Sequence, residues 1–171
     1  NGKLVSKINS KGKLAVGISG KDAKTVLSKK RFHYTDDNTK VDLGQVGEVV
    51  EVNTKLIDAL LKENLIPVIA PLSYGIDDMD YNVNADNFAG KLAAAIGADH
   101  FIILSNVDGL LEDKDNPDTL IKFIDTEKAK TLFGTVIQGG MIPKIESCLD
   151  AIENGVSKVH MLNSKYKDII L

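Results

Sequence analysis

The chain has 171 residues, 43% hydrophobic and 26% charged, with aromatics at 5% and no Trp, so it can form one ordinary domain or two small halves around an aliphatic core. A formal net charge of -3, with Lys and Asp/Glu interspersed, gives no basic face, and a nucleic-acid partner is not expected. The single cysteine, Cys148, excludes an intrachain disulfide and fits a reducing compartment, while the absence of a long apolar run or a signal peptide leaves no membrane role to expect.

Along the chain, helix and strand signals alternate. Residues 14–18 form a short apolar run ended by Ser19 and Gly20, expected as a buried strand. Residues 25–32 and 45–52 partly alternate in polarity and flank a polar stretch at 35–39, which predicts a solvent-facing antiparallel pair. Asn53 and Thr54 offer an N-cap, and Leu56, Ile57, Leu60 and Leu61 follow at helical spacing, so 54–64 is expected as an amphipathic helix. Residues 65–72 read as a buried strand containing Pro67 and Pro71, and 73–80 as a polar loop. An Ala-rich helix is expected over 86–96, with Gly97 in the C-cap position. Residues 101–104 form another buried strand, Thr126 caps a short helix ending at Leu132, and Gly139 and Gly140 precede a helix carrying Ile142, Ile145, Cys148, Leu149 and Ile152 on one face. Asn154 and Gly155 end that helix, and 156–162 is the next strand. Near-continuous apolar strands alternating with helices predict an α/β fold whose mostly parallel sheet is covered on both faces.

Ligands in such folds bind at the carboxyl ends of strands, where three constellations fall. The first is 82–86, Asn-Val-Asn-Ala-Asp, at a helix start; the blander account makes Asp86 a plain N-cap and the asparagines turn residues. The second, 105–109, directly follows a strand and has the composition of an ordinary turn as well. In the third, 138–144, paired glycines at a helix mouth let backbone N–H groups approach an anion, and Lys144 is within reach of a phosphate; the alternative is a loop with a surface lysine. Ser19-Gly20-Lys21 lacks the glycine spacing of a P-loop. His33, His100 and His160 read as isolated, so no metal-ligand cluster is expected, and Cys148 reads as a core residue.

Taken in order, residues 15–22, 66–71, 81–86, 104–111 and 139–144 resemble the motifs of the amino acid kinase family, in its N-acetylglutamate-phosphorylating branch. The resemblance implies a three-layer αβα sandwich with a mostly parallel sheet. Residues 1–97 would be the remaining part of an acyl-substrate-binding half, with a β-hairpin near 25–52, and 98–171 a nucleotide-binding half. It implies ATP-dependent phosphorylation of the side-chain carboxylate of N-acetyl-L-glutamate, giving N-acetylglutamyl phosphate in arginine biosynthesis, with Mg²⁺ accompanying ATP, in a cytoplasmic homodimer or higher homo-oligomer. Asn82 would contact the acyl substrate, Asp86 would hold the catalytic lysines in position, and Lys144 would stabilise the transferring phosphoryl group. Ser105, Asn106, Val107, Asp108, Gly109, Leu110 and Leu111, with Val136, Ile137, Gln138, Gly139 and Gly140, would border the nucleotide. No protein metal ligand is implied. The nucleophile, a carboxylate with a pKa of about 4.3, is already ionised at neutral pH, so no general base is required and positive charge with positioning is what a site must supply.

Family members begin with a strand and a Gly-Gly loop bearing a second catalytic lysine, followed by a glycine-rich loop and a substrate-binding Arg. None is present here, and the sequence stops at the apolar run 169–171 where the family continues into further strands. Both ends therefore read as cut, and the segment alone is expected to be inactive. Glutamate 5-kinase-like and uridylate kinase-like members, and an inactive nucleotide-binding remnant, stand as alternatives; the 82–86 and 141–144 motifs favour the acetylglutamate branch.

Overall fold

The computed structural model describes residues 1–113 and 115–166, which divide into two compact units, Asn1–Ile96 and Gly97–Leu171. The apolar run at 169–171 lies outside the described residues.

Unit 1 opens with helix α1 (Gly2–Asn9), which the sequence reading did not anticipate. Strand β1 (Ala15–Ser19) pairs in parallel with β4 (Ile66–Ala70), in a register that sets Val16 against Pro67. Between them in sequence come β2 (Val26–Tyr34), β3 (Lys40–Val52) and helix α2 (Lys55–Lys62). The segment 73–80, expected as a loop, instead contributes to β5 (Leu72–Gly75) and β6 (Asp80–Val83), an antiparallel pair. Its Asp residues and Gly75 gave the composition of a turn, but only the tip is one: Gly75 N–H donates to Met79 O at 2.6 Å.

The antiparallel pair β2–β3 is present, yet it is solvent-facing only in part. Its base closes with β5 and β6 into a four-stranded barrel in the order β2-β3-β6-β5. Val26, Ser28, Ser73, Tyr81 and Val83 are buried there. The barrel is narrow enough that glycine is required for lack of a side chain. A Cβ on Gly47 would stand 2.6 Å from Tyr81 Cβ, and one on Gly75 would stand 2.6 Å from Tyr81 Cε2, so these two glycines leave the room that Tyr81 fills. Helix α3 (Ala85–Ala95) is anchored on the barrel by Phe88, which joins Val26 and Val83 in one core cluster. Gly97 follows its C-cap Ile96 with φ +65°, the left-handed conformation expected of it.

In unit 2, β7 (His100–Ser105) and β8 (Lys158–Asn163) form a parallel pair, six residues in register. Helices α4 (Thr126–Thr131) and α5 (Met141–Glu153) lie between them in sequence. Asp125 rather than Thr126 caps α4, its carboxylate accepting from Lys128 N–H at 2.7 Å; a carboxylate one residue earlier outcompetes the hydroxyl for the orphan donor. Cys148 is half-buried, not a full core member, although it lies on the helix face between the buried Ile145 and Ala151. His100 and His160, apparently isolated in sequence, meet across β7 and β8. Nδ1 of His100 lies 3.0 Å from Nε2 of His160 and the rings are 18° from parallel, since neighbouring strands bring residues 60 apart in sequence side by side.

Candidate functional site

In unit 1 the motif 82–86 sits where β6 runs into α3. Strand alternation turns Tyr81 and Val83 into the barrel and leaves Asn82 exposed on the outside, paired in the ladder with Val46 and Leu72. The cap of α3 is Asn84, not Asp86: Asn84 Oδ1 accepts from the N–H groups of Asp86, at 3.0 Å, and Asn87, at 3.2 Å. The half-buried Asp86 carboxylate in the first turn is thereby released from the capping role that was its simplest explanation.

The nearby stretch 19–22 is closed on itself. Asp22 Oδ2 accepts from Ser19 N–H at 2.6 Å and from Ser19 Oγ at 2.9 Å, bonds that hold its carboxyl below the usual carboxylate range, and Lys21 pairs with Asp80. The Ser19 N–H that a phosphate loop would offer is therefore spent on Asp22, and the Gly20 N–H donates to Ala70 O at 3.3 Å.

In unit 2 one apolar cluster brings together the two motifs expected to border a nucleotide. Leu110 from the loop after β7, Ile137 from the loop before α5 and Ile145 from α5 are all buried in it, with Val136, Met141 and Ile142 packed around them. This cluster joins the loop after β7, through Leu110, to the loop before α5 and the start of that helix, with Met161 of β8 packed against it. Gln138 turns its amide onto the carbonyls of Gly134, at 3.0 Å, and Thr135, at 2.7 Å, bracing its own loop from within. Gly139 has φ +52°, which disfavours a side chain, whereas Gly140, the N-cap of α5, has φ -66° and open space around it. Neither conformation nor packing demands glycine at 140, which is also among the residues favoured at an N-cap. No side chain caps α5 and its first turn carries no acidic residue, which leaves the positive end of the helix dipole unneutralised there. Lys144, half-buried, is the fourth residue of this helix.

At the strand end itself, the Ser105 hydroxyl is buried with no hydrogen-bond partner among the described residues. Beside it lies a residue that the sequence reading missed. Asn163, the last of β8 and 5% exposed, pairs with Ser105 in the ladder and donates from Nδ2 to Asp108 Oδ1 at 2.8 Å. The available signal was an Asn closing an apolar strand in parallel to one already singled out. Asn82 and Asp86 thus belong to unit 1, and the other candidate residues to unit 2. Among the described residues no group of three or more His, Cys, Asp or Glu could hold a metal ion, and no helix is long and apolar enough to cross a membrane.

Residues 1–163 match a known family model described as "Amino acid kinase family". The chain belongs to the amino acid kinase family. The acetylglutamate kinase of Caldanaerobacter subterraneus subsp. tengcongensis is 45% identical over 172 residues, covering all of this chain and 56% of that protein. The acetylglutamate kinase of Methanocaldococcus jannaschii is 41% identical over 176 residues, again across the whole chain and 59% of the relative. This amino acid kinase family chain therefore spans less than two thirds of the length of the curated relatives it matches. Among solved structures, smu.665 from Streptococcus mutans UA159 superposes with a TM-score of 0.76 at 30% identity, covering 92% of this chain and 62% of that one. The parallel pairs β1–β4 and β7–β8, with helices between, are the local expression of the α/β class expected of the family.

Proposed function

We propose that this chain is part of an enzyme that transfers the γ-phosphoryl group of ATP to the side-chain carboxylate of N-acetyl-L-glutamate, a step of arginine biosynthesis in the cytoplasm. The observation that carries the reading is the 41–45% identity to proteins named acetylglutamate kinase across the whole chain. Unit 1 takes the acyl substrate, with Asn82 as a ligand and Asp86 as the residue that orients lysines. Unit 2 takes ATP on the 105–111 and 136–140 segments. Both reactants are anionic, so the chemistry rests on fixed positive charge, which Lys144 and the uncapped start of α5 supply. Mg²⁺ fits this donor set as an ion carried on the nucleotide phosphates and water, which demands no dedicated protein cage. The working form is a homodimer or larger homo-oligomer.

The test is phosphoryl transfer by the full-length protein to N-acetylglutamate, glutamate and UMP side by side. N-acetylglutamate is expected to be the preferred acceptor; preference for either of the others would assign the chain to another branch of the family. Lys144→Ala is expected to lower kcat about a hundredfold, corresponding to loss of roughly 3 kcal/mol of transition-state stabilisation, with little change in KM for the acyl substrate. An unchanged kcat would remove Lys144 from the mechanism.

A further inference from the structure

We propose that Asn163 is a positioning residue that fixes the loop after β7 in the conformation that meets the nucleotide. Three bonds tie this corner together. Asn163 Oδ1 accepts from its own turn, Lys165 N–H at 2.9 Å; Asn163 Nδ2 donates to Asp108 Oδ1 at 2.8 Å; and Ser164 N–H donates to Ser105 O at 2.8 Å. The loop is therefore held by β8 at two points three residues apart, one through backbone and one through a side chain. Immediately beyond the second point, Gly109 turns with φ +146° and Leu110 plugs into the apolar cluster of unit 2. Between the points, Asn106 and Val107 are left exposed, so they are the residues the corner presents.

The amide is chemically specific to this role. It offers a donor to a carboxylate and an acceptor to a backbone N–H at the same time, without charge, from a position 5% exposed. An aspartate would set a second carboxylate against Asp108, and an alanine would leave Asp108 without this bond. Only an Asn satisfies both neighbours with Asp at 108. The role rests on the reading of unit 2 as the nucleotide-binding unit, and two readouts separate the two ideas.

Equilibrium binding of ATP to the full-length protein is the first readout, and hydrogen exchange across residues 105–110 without nucleotide is the second. Asn163→Ala is expected to weaken ATP binding about tenfold and to speed exchange in the loop, since a hydrogen bond to a charged group is lost. Asn163→Asp is expected to do more harm than the alanine. The decisive variant is the double change Asn163→Asp with Asp108→Asn, which reverses donor and acceptor and restores the bond; it is expected to regain most of the affinity and the slow exchange. A merely structural role would speed exchange throughout unit 2 rather than in this loop, and would not weaken ATP binding beyond the loss of global stability. Loop exchange unaltered in both single variants, or a double variant no better than Asn163→Asp alone, would overturn the positioning role. Wild-type protein that fails to bind ATP would overturn the nucleotide reading instead.

Discussion

Two serine hydroxyls, those of Ser28 in the barrel and Ser105 at the end of β7, are buried without a hydrogen-bond partner among the described residues. A desolvated hydroxyl with nothing to bond is a cost, so removing it relieves the fold, by up to about 1 kcal/mol. Ser28→Ala and Ser105→Ala are both expected to leave thermal stability unchanged or raised. They differ in location: Ser28 stands in the barrel wall of unit 1, whereas Ser105 borders the proposed nucleotide site. Ser105→Ala alone is therefore expected to weaken ATP binding. Should calorimetry find equal affinity in both variants, Ser105 makes no contact with the nucleotide and its orphan hydroxyl has no functional account.

Among the elements, the β5–β6 hairpin shows most directly why some of the structure escapes a sequence reading. Its strands are four residues each, and Asp77, Asp78 and Asp80 crowd its tip, so local composition argues for a loop. What makes it a hairpin is tertiary: parallel pairing to β2 and β3, and Tyr81 filling the space left by two glycines. Apolar strands such as β1, β4 and β7 were legible as short apolar runs bounded by turn residues, but their expected burial was not met: β7 alternates buried and exposed positions and β4 holds no fully buried residue. The helix boundaries of α3 and α5 were legible from Gly97 and Asn154-Gly155, where a left-handed turn follows the last periodic residue. The candidate site was legible at Gly139, Gly140 and Lys144 because glycines at a helix mouth have a chemical meaning in one dimension. Asn163 and the His100–His160 contact were not, because each arises from the register of two strands that lie some sixty residues apart. At the hairpin tip, the Tyr81 hydroxyl donates to Asp77 Oδ2 at 2.6 Å. That bond raises the Tyr81 phenol and lowers the Asp77 carboxyl relative to their ordinary values. The raised phenol contributes stability fully below its unfolded pKa of about 10, lost as pH rises through the folded value; the lowered carboxyl contributes above its unfolded pKa of about 3.9, lost as pH falls through the folded value. Tyr81→Phe is expected to lower the Tm at neutral pH, with the gap from wild type narrowing at both acidic and strongly alkaline pH. A gap constant from pH 3 to pH 11 would mean the bond does not form in solution.

At the scale of the whole molecule, the two units have separate cores, one built on Val26, Val83 and Phe88 and the other on Leu110, Ile137 and Ile145. A ligand stabilises the structure it binds, by about 2.7 kcal/mol at a hundred times its Kd, and where cores are separate that protection is read unit by unit. The proposed division of labour therefore has a spatial signature that does not depend on turnover. ATP with Mg²⁺ is expected to slow amide exchange at residues 105–111 and through the first turns of α5, where Leu110, Ile137 and Ile145 share one cluster. N-acetylglutamate is expected to slow exchange at residues 82–88, where Asn84 caps α3 and Phe88 ties that helix to the barrel. Asn82→Ala is expected to abolish the second effect and leave the first, because the exposed amide on the outer face of β6 is the proposed acyl-substrate ligand and lies in the other unit from the proposed nucleotide segments. If ATP instead protects 82–88 and leaves 105–111 untouched, the assignment of substrates to units is reversed.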